Sequence, residues 1–146
     1  MYTIDRRLPA FTVQDCLERL AAVLATLVGN GEDDLRAVYD YRTSPQKGVS
    51  AAVTAIDDMP FTTTWSEVHY DYMIDLVIPH DGTAAGLRAA EHRLNAITDR
   101  LWRVLVAAED EAWSDLLPAR NNLKPGAPPE NPHVRRSLLF VRVRPN

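Results

Sequence analysis

The stretch Val68-His69-Tyr70-Asp71-Tyr72-Met73-Ile74-Asp75-Leu76-Val77-Ile78 decides the fold class of this chain. Every second residue from Val68 to Ile78 is apolar or aromatic, and the positions between them include His69, Asp71 and Asp75. This alternation is the period of a pleated strand that buries one face. The stretch therefore predicts a half-buried strand, which Pro79 ends because proline has no amide hydrogen to donate to a ladder.

An amphipathic helix precedes this strand in the chain. Thr12 followed by Asp15 forms a capping box, and apolar residues recur behind it at steps of three and four. Gly29 and Gly31 offer the left-handed conformation that commonly ends a helix. The pattern predicts a helix over about Val13 to Val28.

A second, longer helix follows the strand. Thr83 is a suitable N-cap, and an apolar stripe extends from Leu87 to Leu105 with charged residues mostly off it. We expect this helix to lie on a sheet. A short helical extension carrying Trp113 is predicted over Glu109 to Leu117.

Three further strands and one irregular segment complete the chain. Alternation and turn residues predict strands over about Leu35 to Tyr41, Val49 to Ile56 and Val134 to Arg144. Residues 118–133 are rich in proline and form an extended arm. The order α-β-β-β-α-(α)-β predicts an α+β fold: a mainly antiparallel sheet of about four strands, joined by hairpins, with two long helices on one face.

Length and composition limit the possible functions. A chain of 146 residues is expected to form a single domain, 1–146. The formal net charge of −4 is unlike that of a dedicated nucleic-acid binder. Cys16 is the single cysteine, which excludes an internal disulfide and a multi-cysteine zinc site, and we expect it in the core. We find no secretory signal and no apolar run of about 18 residues, so no membrane partner is expected.

Motifs for chemistry are sparse. Gly82 to Gly86 open a helix where an anion could bind, but the Walker and dinucleotide patterns are absent. Glu67, His69, Asp71 and Asp75 share one face of a strand, yet neighbours on that face are about 7 Å apart, too far to converge on one metal ion. We therefore expect no metal, no cofactor and no enzyme activity.

Two sets of residues are candidates for an interface. The last strand is basic, and its arginines have three possible roles: contact with nucleic-acid phosphates, contact with an acidic face of a neighbouring copy, or protection of an edge strand. Trp102 and Trp113 are candidate contacts for another subunit, since aromatic residues dominate interface energies. The candidate subunit-interface residues are Trp102, Trp113, Arg135, Arg136, Arg142 and Arg144.

The whole pattern resembles the tail terminator, or tail completion, proteins of long-tailed bacteriophages. The resemblance rests on Ala37-Val38-Tyr39-Asp40-Tyr41 after the first helix, the strand Tyr70 to Ile78, the helix Ala89 to Leu101 and an arginine-rich closing strand. The proline arm is longer than this family's pattern suggests. Neck proteins that join phage heads to tails are similar at this level, and a small nucleic-acid-binding module is an alternative of another class.

The resemblance implies a structural virion protein in the tail or neck region, assembled in the host cytoplasm. Such a protein forms a homo-oligomeric, six-fold ring that caps the tail tube, stops its polymerisation and meets the head connector. DNA passes through the ring without specific binding, so acidic residues are expected at the lumen. The candidates are Asp57, Asp58, Glu67, Asp71 and Asp75.

Overall fold

The structure, a computed structural model, describes residues 8–41, 48–56, 61–63, 68–119 and 133–146. It contains two helices and six strands, in chain order α1 (Val13–Ala25), β1 (Ala37–Tyr39), β2 (Ser50–Ala55), β3 (Phe61–Thr63), β4 (Val68–Pro79), α2 (Ala84–Ala107), β5 (Trp113–Pro118) and β6 (Val134–Pro145). The predicted α+β class is confirmed. The sheet has two strands more than expected, β3 and β5. No helix among the described residues has the length and apolar character needed to cross a membrane.

α1 begins at the predicted capping box. The Thr12 side chain accepts a hydrogen bond from the Asp15 amide, and the Asp15 side chain accepts one from the Thr12 amide. The helix ends at Ala25, earlier than predicted, because the amides of Thr26 and Leu27 bond back three residues in tighter turns. The expected left-handed glycine cap is wrong: among the described residues, Gly82 is the glycine with positive φ. Gly29 and Gly31 instead allow the close approach of the Asp34 carboxylate.

The six strands form one sheet in the order β1-β2-β4-β6-β5, with β3 pairing the start of β4. All pairs are antiparallel except β1 with β2, which run parallel with Ala37 opposite Ser50. The expectation of consecutive hairpins is therefore wrong for this pair. Leu35 lies outside the β1 ladder and forms a bridge with Val28, so β1 is shorter than the predicted strand.

Both helices cover the same face of the sheet, as predicted. The alternate residues of β4 from Tyr70 to Ile78 are buried in one core with the apolar stripes of α1 and α2. The Tyr70 and Tyr72 hydroxyls donate hydrogen bonds to the carbonyl oxygens of Phe11 and Val13, at 2.9 Å and 2.7 Å. These bonds hold the start of α1 against the centre of the sheet.

The predicted helical extension over Glu109 to Leu117 is wrong, because this segment contributes β5 to the sheet edge. α2 ends at Ala107, and its C-cap Ala108 is already extended. Trp113 and Leu116 then turn inward beside β6 and are buried. Trp113 is only 4% exposed, so it belongs to the core of its own chain. Its assignment to a subunit interface is corrected accordingly.

The proline-rich arm is described only at its two ends. Pro118 is the last residue of β5, and the amide of Ala119 donates to the Phe140 carbonyl at 2.9 Å. At the other end, the His80 amide donates to the His133 carbonyl at 2.8 Å. The rest of the predicted arm, 120–132, lies outside the described residues.

Candidate functional site

One face of the sheet is turned away from both helices, and we call its β4 and β6 part the outer face. It is formed by the residues that alternate with the buried ones on the two central strands. Its members are Asp71, Met73, Asp75, Val77, Arg136, Leu138, Phe140 and Arg142. β4 and β6 share ten directly opposite residue pairs, from Tyr70 with Val143 to Pro79 with Val134, so this surface has a well-defined register.

Asp71 and Arg142 form the first ion pair of the outer face. They are directly opposite each other across the ladder. Arg142 Nε donates to Asp71 Oδ1 at 2.8 Å, and Nη2 donates to Oδ2 at 3.1 Å. This bidentate geometry matches a planar guanidinium to a carboxylate. The hydrogen bonds to Asp71 raise the pKa of Arg142 above its ordinary value, so the arginine stays charged.

Asp75 and Arg136 form the second ion pair, with the arginine two positions along the ladder from the residue opposite Asp75. Arg136 Nε donates to Asp75 Oδ1 at 2.7 Å, and Nη2 donates to Oδ2 at 2.6 Å. The pKa of Arg136 is raised chiefly by these hydrogen bonds. The Asp75 side chain is 16% exposed and that of Arg136 is 43% exposed, so the pair reaches from the sheet into solvent.

Apolar side chains lie between the two ion pairs. Met73 is directly opposite Phe140, and Leu138 is opposite Asp75. All three apolar residues are partly buried rather than fully exposed. The outer face is thus an apolar strip bordered by internally neutralised charges, unlike the polar surface usual on the solvated side of an antiparallel sheet.

The structure places two predicted sets on one surface. Asp71 and Asp75 were expected to line a lumen, and Arg136 and Arg142 to contact a neighbour, but these four residues pair with one another. The reason is the antiparallel register of β4 and β6, which a single strand does not reveal. Asp71 and Asp75 therefore present no unpaired negative charge, and their place at a lumen stays a prediction. Asp57, Asp58 and Glu67 lie outside the described residues.

The remaining interface candidates are dispersed. Arg135 faces the helices, where its Nε donates to Glu91 Oε1 of α2 at 2.6 Å, so it does not lie with the other strand arginines. Trp102 is partly buried against the core. Arg144 is exposed opposite Asp115 of β5 and, with His69, Leu117 and Arg142, lines a cavity of about 320 Å³ at one end of the outer face.

The N-terminus of α2 is occupied by a carboxylate of the chain itself. Asp81 Oδ1 accepts hydrogen bonds from the Thr83 amide at 2.9 Å and the Thr83 hydroxyl at 2.6 Å. These bonds hold the pKa of Asp81 below its usual range. Thr83 in turn accepts from the Gly86 amide at 3.0 Å. The geometry supports helix capping, the simpler of the two interpretations of Gly82 to Gly86.

Sequence reasoning missed an acidic cleft of about 610 Å³ between the loop after α1 and the first turns of α2. Glu32, Asp33 and Asp81 lie along it, with His80, His92 and Arg93. These residues come from three separate stretches of the chain and follow no motif spacing. Within the described ranges, no group of three or more His, Cys, Asp or Glu side chains has the arrangement of a metal site.

Sequence reasoning also left Met73, Leu138 and Phe140 out of the candidate site. A signal was present in β6, where Leu138 and Phe140 alternate with Leu139, Val141 and Val143. Two large apolar residues on the supposedly solvated face indicate a contact surface.

No protein-family model matches the chain, and no curated protein matches it. Among solved structures, the chain is similar to one described as "Virion of native gene transfer agent (GTA) particle", at 21% sequence identity and a TM-score of 0.49. The alignment covers 99% of this chain and 98% of that chain.

Proposed function

We propose that this chain is a structural protein of a phage-like virion, with no catalytic role. More narrowly, we propose that it is a tail terminator. In this role, copies of the chain form a six-fold ring that caps the tail tube, stops its polymerisation and joins the tail to the head connector. The protein would reside in the neck region of the particle and assemble in the host cytoplasm.

The composition of the outer face is the main observation that supports this proposal. Both helices lie on one side of the sheet, and the other side presents Met73, Leu138 and Phe140 between ion pairs. Partly exposed apolar residues grouped on one surface are typical of protein contact sites. A subunit that is built to be repeated needs such a surface in addition to its own core.

A rigid body also supports a role in a ring. Arg19 of α1 binds the turn before β5, with Nη1 at 2.8 Å from Asp110 Oδ1 and Nη2 at 2.6 Å from Glu111 Oε1. Together with the Tyr70 and Tyr72 hydroxyl bonds, this contact fixes α1 to both the centre and the edge of the sheet. Ring closure requires each interface to repeat with the same geometry.

The charge distribution suits a protein that lets DNA pass without holding it. The chain has a formal net charge of −4. Three of the four arginines that a nucleic-acid-binding module would use, Arg135, Arg136 and Arg142, are bonded to Glu91, Asp75 and Asp71. Phosphate contacts would have to replace these charge-assisted bonds. The alternative of a nucleic-acid-binding module therefore loses its main support.

Electron microscopy of the purified chain with the tail tube protein of the same particle tests the proposal. We expect rings at one end of each tube and tubes of defined length, whereas tubes without the chain should keep growing. The chain alone at high concentration is the matched control. Tubes that elongate normally with no density at their ends would contradict the terminator role, and binding only to the head connector would identify a neck protein.

A further inference from the structure

We infer that the outer face packs against a second copy of this chain, and that its two ion pairs make this self-association possible. The inference rests on the proposed ring and specifies which surface joins its subunits. It follows from the composition, the charge and the size of the outer face.

The apolar centre of the face supplies the attraction. Met73 and Phe140 are directly opposite across the β4–β6 ladder, with Leu138 on the same strand face. All three retain some exposure, so a partner can remove further apolar surface from water. Burial of apolar surface stabilises association by about 25 cal/mol per Å² before the entropic cost of binding is subtracted.

Because its charged residues are paired with one another, the outer face does not repel the same face of a second copy. Asp71 with Arg142 and Asp75 with Arg136 are joined by bidentate hydrogen bonds of 2.6 to 3.1 Å. Each copy thus presents paired charges of both signs and no net charge from these four residues. Electrostatic complementarity selects partners mainly by penalising like charge. A strongly basic or acidic partner gains nothing here, whereas a second copy meets no penalty.

The outer face is large enough to form the centre of a protein interface. The ten opposite residue pairs of β4 and β6 at about 3.3 Å per residue give a length of roughly 33 Å, and two strands at about 4.8 Å give a width of roughly 10 Å. The area is about 300 Å², so the flanking strands β2 and β5 must contribute the rest of the roughly 800 Å² per partner of a stable interface. Leu117, which is 54% exposed and opposite Arg142 on β5, extends the apolar surface at its border.

Substitution of the apolar centre is the first test. Sedimentation velocity of the full chain over a range of concentrations measures self-association, with tail tube protein added as a second condition. We expect Phe140→Glu to weaken self-association at least tenfold. Val106→Glu is the matched control, because Val106 is 61% exposed on α2, away from the outer face, and should leave association unchanged.

Removal of one charge is the second test, and it is independent of apolar burial. Asp75→Asn leaves Arg136 uncompensated on every copy, so association should weaken and partly recover as salt screens the repulsion. Asp75→Asn combined with Arg136→Gln restores neutrality and should restore association. Circular dichroism of each variant separates loss of the fold from loss of the interface.

The outcomes distinguish this inference from the proposed function. If Phe140→Glu and Asp75→Asn both assemble like the unmodified chain, the interface is elsewhere and the ring proposal stands. If Phe140→Glu prevents capture by the tube but leaves self-association intact, the outer face binds the tube protein and the inference is overturned. If the unmodified chain forms no oligomer alone or on the tube, both fail.

Discussion

At the residue scale, Gly82 occupies a backbone position that only glycine adopts without strain. Its φ is +82°, in the region that residues with a side chain rarely adopt. A Cβ atom there would also collide with the His133 imidazole ring. The turn between β4 and α2 therefore depends on glycine for both its conformation and its contact with the start of β6.

We expect Gly82→Ala to lower the free energy of unfolding by more than about 1 kcal/mol, because the left-handed conformation and the ring contact both oppose a methyl group. Gly48→Ala is the matched control, since its Cβ would meet the Arg36 side chain at an ordinary 3.7 Å. Urea denaturation of the three proteins measures the difference. Equal losses in both variants would contradict this account.

Cys16 is a core residue, as the sequence predicts. Its side chain is fully buried in α1, and burial raises the pKa of its thiol to about 11. The thiolate is the form that reacts, so native protein at pH 8 should react with a thiol reagent far more slowly than protein unfolded in urea. A native rate equal to the unfolded rate would show that the thiol is accessible.

At the scale of elements, two arginines stabilise the loop between α1 and β1: Arg36 at the end of the loop itself, and Arg100 of α2. Arg36 Nη1 donates to the carbonyls of Gly29 at 2.6 Å and Gly31 at 3.0 Å. Arg100 of α2 donates to Asp34 Oδ1 at 2.9 Å and to the Asp33 carbonyl at 2.6 Å. The loop is thus tied to the second helix by an ion pair and a hydrogen bond, in addition to the burial of its Leu27 and Leu35 side chains in the core.

This ion pair predicts a pH dependence. The hydrogen bond from Arg100 is the largest cause that holds the pKa of Asp34 below its usual range. A carboxyl whose pKa is lower in the folded than in the unfolded chain stabilises the fold above about pH 4, and this contribution is lost as the pH falls through the folded-state pKa.

We therefore expect Asp34→Asn to lower the Tm at pH 6 and to have a smaller effect at pH 3. Thermal unfolding over this pH range measures it. Asp40→Asn, which removes an exposed carboxylate outside the loop, is the control. A Tm difference between Asp34→Asn and the unmodified chain that stays constant with pH would contradict the assignment.

At the scale of the whole molecule, one apolar cluster joins both helices and the sheet. It includes Leu20 of α1, Leu101 of α2, Tyr72 of β4 and Trp113 of β5. No second core is present among the described residues. Because a single core unfolds cooperatively, we expect the whole chain to behave as one domain.

Coincident unfolding curves test this expectation. In a Trp65→Phe and Trp102→Phe double variant, tryptophan fluorescence reports the surroundings of Trp113 at the sheet edge, and far-ultraviolet circular dichroism is dominated by α1 and α2. We expect both signals to change with the same midpoint and slope in urea. Fluorescence that changes at a lower urea concentration than helicity would show that β5 detaches before the rest unfolds.

Local alternation and helical periodicity were sufficient to predict α1, α2, β4 and β6, because these elements are long and each buries one face. Short segments were predicted less well. The segment predicted as a helical extension contributes β5, and the predicted hairpin between β1 and β2 is absent because these strands run parallel. Their structure depends on the strands beside them.

The sequence by itself determined which residues of β4 and β6 face inward, since that depends only on the two-residue period of a strand. Only the tertiary structure decided that Asp71 meets Arg142 and that Asp75 meets Arg136, because the partners are distant in the chain and their pairing depends on strand register. The same register placed Met73 opposite Phe140. The charge and apolar content of the outer face are therefore consequences of how two distant strands align.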